Sequence, residues 1–185
     1  MRGAECARKT RPSPPVNPPT YRPLTPDELA ELQPQFVRYL AAQGIPADEW
    51  ERLRSDAPGR VDDLIARFSA MVFDDVLTRA RYLEQRGERQ ILAYEAGEEV
   101  LRVRGVLVDG ETTLDLRRGD PPAEMMARLT ARGARLKLLA AERAYRGSRR
   151  GDLFALLEAG ARIATSSELY DLLTGLGGNS EAPQT

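Results

Sequence analysis

Arginine is the side chain best placed to do chemistry in this chain, supplying 25 of its 27 basic residues. A guanidinium grips carboxylate or phosphate with two parallel hydrogen bonds but does not readily release a proton. Codon bias accounts for the ratio of arginine to lysine as well; position is the sharper signal. Arg117-Arg118 and the run Arg143-Ala144-Tyr145-Arg146-Gly147-Ser148-Arg149-Arg150 each follow a predicted strand and precede a predicted helix. Free N–H groups and the dipole at a helix N-terminus favour anions. Arg117, Arg118, Arg143, Tyr145, Arg146, Arg149 and Arg150 are therefore the candidate residues for binding an anion or a partner. The plainer reading is a set of solvated loop arginines neutralised by Asp120 and Asp152.

Carboxylates are the second set. Asp48-Glu49, Asp62-Asp63, Asp74-Asp75 and Glu98-Glu99 are neighbours in sequence, and on a helix neighbours diverge by about 100°. They do not make a shared acid–base site. Asp63–Arg67, Asp75–Arg79 and Glu124–Arg128 have the spacing of surface ion pairs worth about 0.2–0.5 kcal/mol each. Asp115-Leu116-Arg117 has the outline of the carboxylate-x-lysine half of a metal-dependent nuclease motif, with arginine in the lysine place. Such a site needs a second carboxylate on the same Mg²⁺. Asp109 is six residues away, about 20 Å in extended chain. The motif is broken twice.

Composition excludes more than it proposes. Histidine is absent and Cys6 is the only cysteine. That removes histidine bases, Ser-His-Asp and Cys-His constellations, and His/Cys zinc sites. One cysteine also precludes an intramolecular disulfide, which fits a reducing compartment. No apolar run approaches 18 residues, so a soluble, cytoplasmic protein is expected, with no membrane partner. The formal charge is −1, and residues 21–174 alone carry 23 basic and 26 acidic side chains. There is no global footprint for nucleic acid. No glycine-rich loop matches a P-loop or dinucleotide pattern, and no cofactor, metal ligand or catalytic residue is assigned.

The elements that must position these residues follow from periodicity. Residues 1–20 are proline-rich and should be a disordered extension. Thr25-Pro26-Asp27-Glu28 is a strong helix start. Leu29, Leu32, Phe36, Tyr39 and Leu40 form its apolar stripe, Gly44 ends it, and Pro34 should kink or split it. Pro46 to Arg54 forms a short helix with Ile45, Trp50 and Leu53 inward. Arg60 to Arg86 reads as one long helix, with apolar residues from Val61 through Phe68 and Val76 to Leu83 at helical spacing.

Strand-like alternation follows at Gln90–Ala96, Glu99–Val108 and Glu111–Arg117, an antiparallel meander closed by Asp109-Gly110. A helix over Ala123–Arg132, ended by Gly133, leads to a fourth strand, Arg135–Glu142. Third and fourth strands should then be parallel by a right-handed crossover, bringing both arginine groups to one sheet edge. Helices at Asp152–Ala159 and Glu168–Leu173 flank a short strand, Ala161–Ala164, and residues 175–185 read as a tail. The expected fold is a single α+β domain over 21–174. It has N-terminal helices dominated by the long one, then a mixed, mostly antiparallel sheet of about four strands, in two layers. Arg102, Arg104, Asp115, Arg117 and Lys137 should share the sheet face that is partly open to water.

Tyr21-Arg22-Pro23-Leu24-Thr25, Glu28-Leu29, Ile45-Pro46-Ala47-Asp48-Glu49-Trp50, Phe68-Ser69, Tyr82-Leu83-Glu84, Leu157-Glu158-Ala159-Gly160-Ala161 and Leu169-Tyr170 resemble a family of short bacterial proteins of unknown function. The resemblance spans about Tyr21 to Leu173. It implies that residues 1–20 are an extension or a misplaced start, and it brings no activity and no site residue. The sequence thus points to a non-enzymatic module that binds an acidic protein or nucleic acid phosphate through an arginine-rich sheet edge. The alternative is a metal-dependent nuclease or phosphodiesterase on a helix–strand–strand–strand–helix–strand core.

Overall fold

The computed structural model describes residues 21–110, 115–131, 133 and 135–178. Thr25 caps α1 (Pro26–Glu31) through the reciprocal bonds with Glu28 that the sequence announces. Pro34 does split the first helix: α2 (Gln33–Ala42) begins at a break centred on Leu32. Next come α3 (Ala47–Asp56) and α4 (Pro58–Arg79). Leu64, Phe68, Phe73 and Leu77 line the buried stripe of α4 at helical spacing. Phe68 meets the rings of Phe36 and Tyr39 at 5.0 and 5.4 Å, and Trp50 packs edge-on against Phe36 at 5.4 Å. Phe36 and Phe68, the two that are buried, each contribute about 1.5–3 kcal/mol by removal from water.

The long helix stops seven residues early. Residues Tyr82–Arg86 are not its last turns but β1, paired with β2 (Gln90–Ala96) on one side and β5 (Arg162–Ala164) on the other. A five-stranded, wholly antiparallel sheet results, in the order β4-β3-β2-β1-β5. The α+β class stands. The third meander strand does not: β3 (Val100–Asp109) is already paired with β2 on one edge and with β4 (Arg135–Ala144) along its whole length on the other. No edge of β3 is left for residues following Gly110. Leu116 to Arg118 form a turn instead, and residues 111–114 of the expected strand lie outside the described residues.

The expected parallel crossover led from that third strand to the fourth and falls with it. β4 runs antiparallel to β3, with Asp109 opposite Arg135 and Val100 opposite Ala144. The connecting helix α5 (Pro122–Ala131) starts near Asp120, whose carbonyl receives a 3.2 Å bond from Arg86, and β4 starts beside Asp109. Both lie at one end of the sheet, so α5 returns the chain to the end it left. A parallel strand would have required a helix running the full strand length back.

Helices cover both sheet faces, giving three layers where two were expected. Leu83, Tyr94, Ala96 and Leu101 pack toward α1–α4 and α6 (Arg149–Glu158). Ile91, Ala93, Val106 and Val108 pack toward α5 and α7 (Glu168–Gly178). The register also separates residues expected to share a face. Lys137 lies opposite Leu107 and Arg102 opposite Glu142, so Lys137 and Arg102 point to opposite sides. Helix α7 continues to Gly178, into the segment read as a tail.

Candidate functional site

Strand β3 is ten residues long, so its two ends lie about 30 Å apart. Arg117 and Arg118 sit at the Asp109 end: Leu116 donates to the Glu88 carbonyl in the β1–β2 turn at 3.0 Å, and Arg86 donates to the Arg118 carbonyl at 3.1 Å. Arg143, Tyr145, Arg146, Arg149 and Arg150 sit at the Val100 end. With Leu116 to Arg118 in a turn and not at the far end of a strand running back along β3, the two arginine groups stay at opposite ends of the sheet.

Most of the candidate side chains are committed within the fold. Arg117 makes a fork-like pair with Asp115, at 2.7 to 3.1 Å, and this holds the Asp115 carboxyl down to about 2. The same pairing occupies the only carboxylate of the nuclease-like motif, which is in a loop and not on a strand. Among the described residues no group of three or more His, Cys, Asp or Glu side chains could hold a metal ion. Arg143 pairs with Asp152, which also accepts the Arg146 backbone N–H at 3.2 Å. Asp152 thus neutralises the loop as the plainer sequence reading holds, whereas Asp120 pairs with Arg128. Tyr145 donates its hydroxyl to the carbonyls of Gly97, at 2.8 Å, and Val100, and burial pushes its pKa up.

Arg149 has the most demanding task. Its guanidinium donates to Leu77, Thr78, Ala80, Ala96 and Gly97 carbonyls, the first at 2.7 Å and the last at 3.0 Å. Leu77 and Thr78 belong to the last turn of α4, whose carbonyls have no partner within the helix. A cation from the start of α6 caps a helix that ended 70 residues earlier. Arg149 is a structural residue first.

What remains exposed is a groove of about 720 Å³ beside this cap. Its walls are Arg79 at the end of α4 and Arg81 just after it, Glu98 on the β2–β3 turn, and Ser148 and Arg150 at the start of α6. Ser148 accepts the Gly151 N–H at 3.0 Å and fixes the entry of α6. Arg150 is 3.2 Å from Asp74, which also accepts the Tyr21 hydroxyl at 2.7 Å, and Arg79 pairs with Asp75. Arg81 and Arg146 are exposed and carry no side-chain ion pair among the described residues. The sequence marks Arg79 only as the ion-pair partner of Asp75 and does not mark Arg81, because both fall inside what reads as a continuous helix. No local signal marks the helix end there, since the cap is supplied from Arg149.

The model of a family of unknown function, DUF6495, matches residues 20–177. The chain belongs to this family. The match contains every described element of the DUF6495 fold, the groove and its arginines except the last residue of α7. No curated protein and no solved structure matches the chain. No described helix of this DUF6495 protein is long and apolar enough to cross a membrane.

Proposed function

We propose that this protein is a non-enzymatic binding module that receives an acidic segment of a partner protein in the groove at the α4–α6 junction. The observation that carries the proposal is the arrangement of Arg79, Arg81, Arg149 and Arg150 around one concavity, with Glu98 as the only acid in its wall among the described residues. The ion pairs of Arg79 and Arg150 are exposed, hence worth about 0–1 kcal/mol and readily exchanged for a better acceptor, while Arg149 stays on its carbonyls and adds its charge to the wall. Asp74 and Asp75 stand just behind the arginines. Such a mixed-sign rim opposes a continuous phosphate backbone but accommodates a peptide with spaced carboxylates. This supports an acidic protein segment over nucleic acid, a choice the sequence leaves open.

The test uses a fluorescent glutamate-rich peptide and a single-stranded RNA of similar charge, titrated across a salt series into the full chain and into an Arg79→Glu/Arg81→Glu variant, both positions lying in the groove wall. Both positions are exposed and the one ion pair lost, Arg79–Asp75, is on the surface, so folding is preserved. Salt-sensitive peptide binding, weakened at least about tenfold in the variant, is the expected result. No peptide binding, or binding indifferent to the substitutions, overturns it; tighter RNA binding transfers the groove to nucleic acid.

A further inference from the structure

Strand β4 occupies an edge of the sheet and is paired on one side only, through ten consecutive residues without a bulge. No strand lies beyond it among the described residues. Edge strands of monomeric proteins are usually shortened, bulged, interrupted by proline or studded with charge, because free N–H and C=O groups invite another strand. β4 has none of the first three. Its charges lie toward the two ends and turn to partners in the same chain, Lys137 to Asp109 at 3.3 Å, Glu142 to Arg102 and Arg143 to Asp152, which leaves Leu138 to Ala141 uncharged. Leu138 and Leu139, adjacent and therefore on opposite faces, are 39% and 42% exposed. Leu139 lies opposite Gly105, which offers no side chain to cover it.

We infer that this edge is the contact between two copies of the chain, which join β4 to β4 antiparallel about a two-fold axis into one continuous sheet. A two-fold perpendicular to the sheet keeps each face on its own side, so each register is centred on a single residue meeting its own copy. Charge selects among the registers centred on residues 137 to 140. Centring on Lys137 sets it against itself, centring on Leu139 opposes Arg135 to Arg143, and centring on Ala140 opposes Lys137 to Arg143. Centring on Leu138 places Leu136 against Ala140, Lys137 against Leu139 and Arg135 against Ala141, with no like charges facing. The formal charge of −1 leaves no long-range repulsion between copies.

The full chain is examined by sedimentation over a concentration series, alongside a Cys6→Ser/Leu138→Cys variant under mild oxidation and a Leu138→Lys/Leu139→Lys variant. The wild type should move from 20.5 kDa to twice that mass as concentration rises. The cysteine variant should form a disulfide-linked dimer, since directly opposed Cβ atoms lie within about 5.5 Å. The lysine variant should stay monomeric with an unchanged circular dichroism spectrum. A wild type that is monomeric at every concentration refutes the dimer and leaves the edge for a different chain. A dimer that survives the lysines and gives no cross-link places the interface elsewhere. If the lysine variant fails to fold, wild-type sedimentation and the cross-link decide.

Discussion

Replacing Arg149 with alanine should destabilise the whole domain rather than only a binding surface. The side chain ties five backbone carbonyls from two places, the end of α4 and the β2–β3 turn. A hydrogen bond to a charged group contributes about 1.5–3 kcal/mol, but five bonds from one guanidinium do not add. The groove beside it admits water, which recovers part of the loss. A net cost of about 3 kcal/mol follows, or a fall in Tm of about 6–12 °C for a chain of this size. Urea denaturation and thermal melts by circular dichroism give the two values, and faster amide exchange at Ala80 and Ala96 locates the damage. Arg146→Ala, at an exposed position, is the control and should stay within about 0.5 kcal/mol. Arg149→Lys should recover only part of the loss, because an ammonium cannot span both sets of carbonyls. If Arg149→Ala costs no more than the control, the cap is not what ends α4.

Two smaller predictions concern the N-terminal clamp and the sheet. Arg22 and the Thr25 backbone hold the Glu28 carboxyl at about 2, below its ordinary 4.5, so its stabilisation is complete above pH 4.5 and lost as pH falls through 2. Glu28→Gln should therefore be less stable than wild type at neutral pH, by under about 1 kcal/mol for so exposed a pair, and the denaturation midpoints should converge near pH 2. Gly105→Ala would place a Cβ 2.5 Å from the Leu92 side chain and 3.0 Å from the Ile91 carbonyl oxygen. It should cost about 1–3 kcal/mol in a denaturant titration, and a neutral result would show that the β2–β3 contact yields more easily than packing requires.

The N-terminal helices were legible because each carries its own punctuation: the Thr25–Glu28 capping box, Pro34 at the break, and an aromatic stripe at helical spacing. Strands β2, β3 and β4 were legible from alternation. Strand β1 was not, because Tyr82-Leu83-Glu84-Gln85-Arg86 fits a helical period as well as an alternating one. Of the candidate site, the arginines before α6 were found in sequence, while Arg79 and Arg81 were missed. Arg117 and Arg118 were grouped with the wrong cluster for one reason, the expected third strand Glu111–Arg117, which would have carried them back to the Val100 end of the sheet.

Periodicity and capping depend on residues within a few positions of one another, and these local forces settled the α+β class, the helix starts and the positions where strands could form. Chain direction, sheet order and the end of α4 depend on partners far along the chain. Arg149 reaches back to the last carbonyls of α4, and β1 is held on both sides by β2 and by β5. With its final carbonyls capped and its onward backbone paired in a sheet, the helix has no reason to continue past Arg79. Those bonds exist only once the chain has folded, so the tertiary structure alone decided which arginines share a groove.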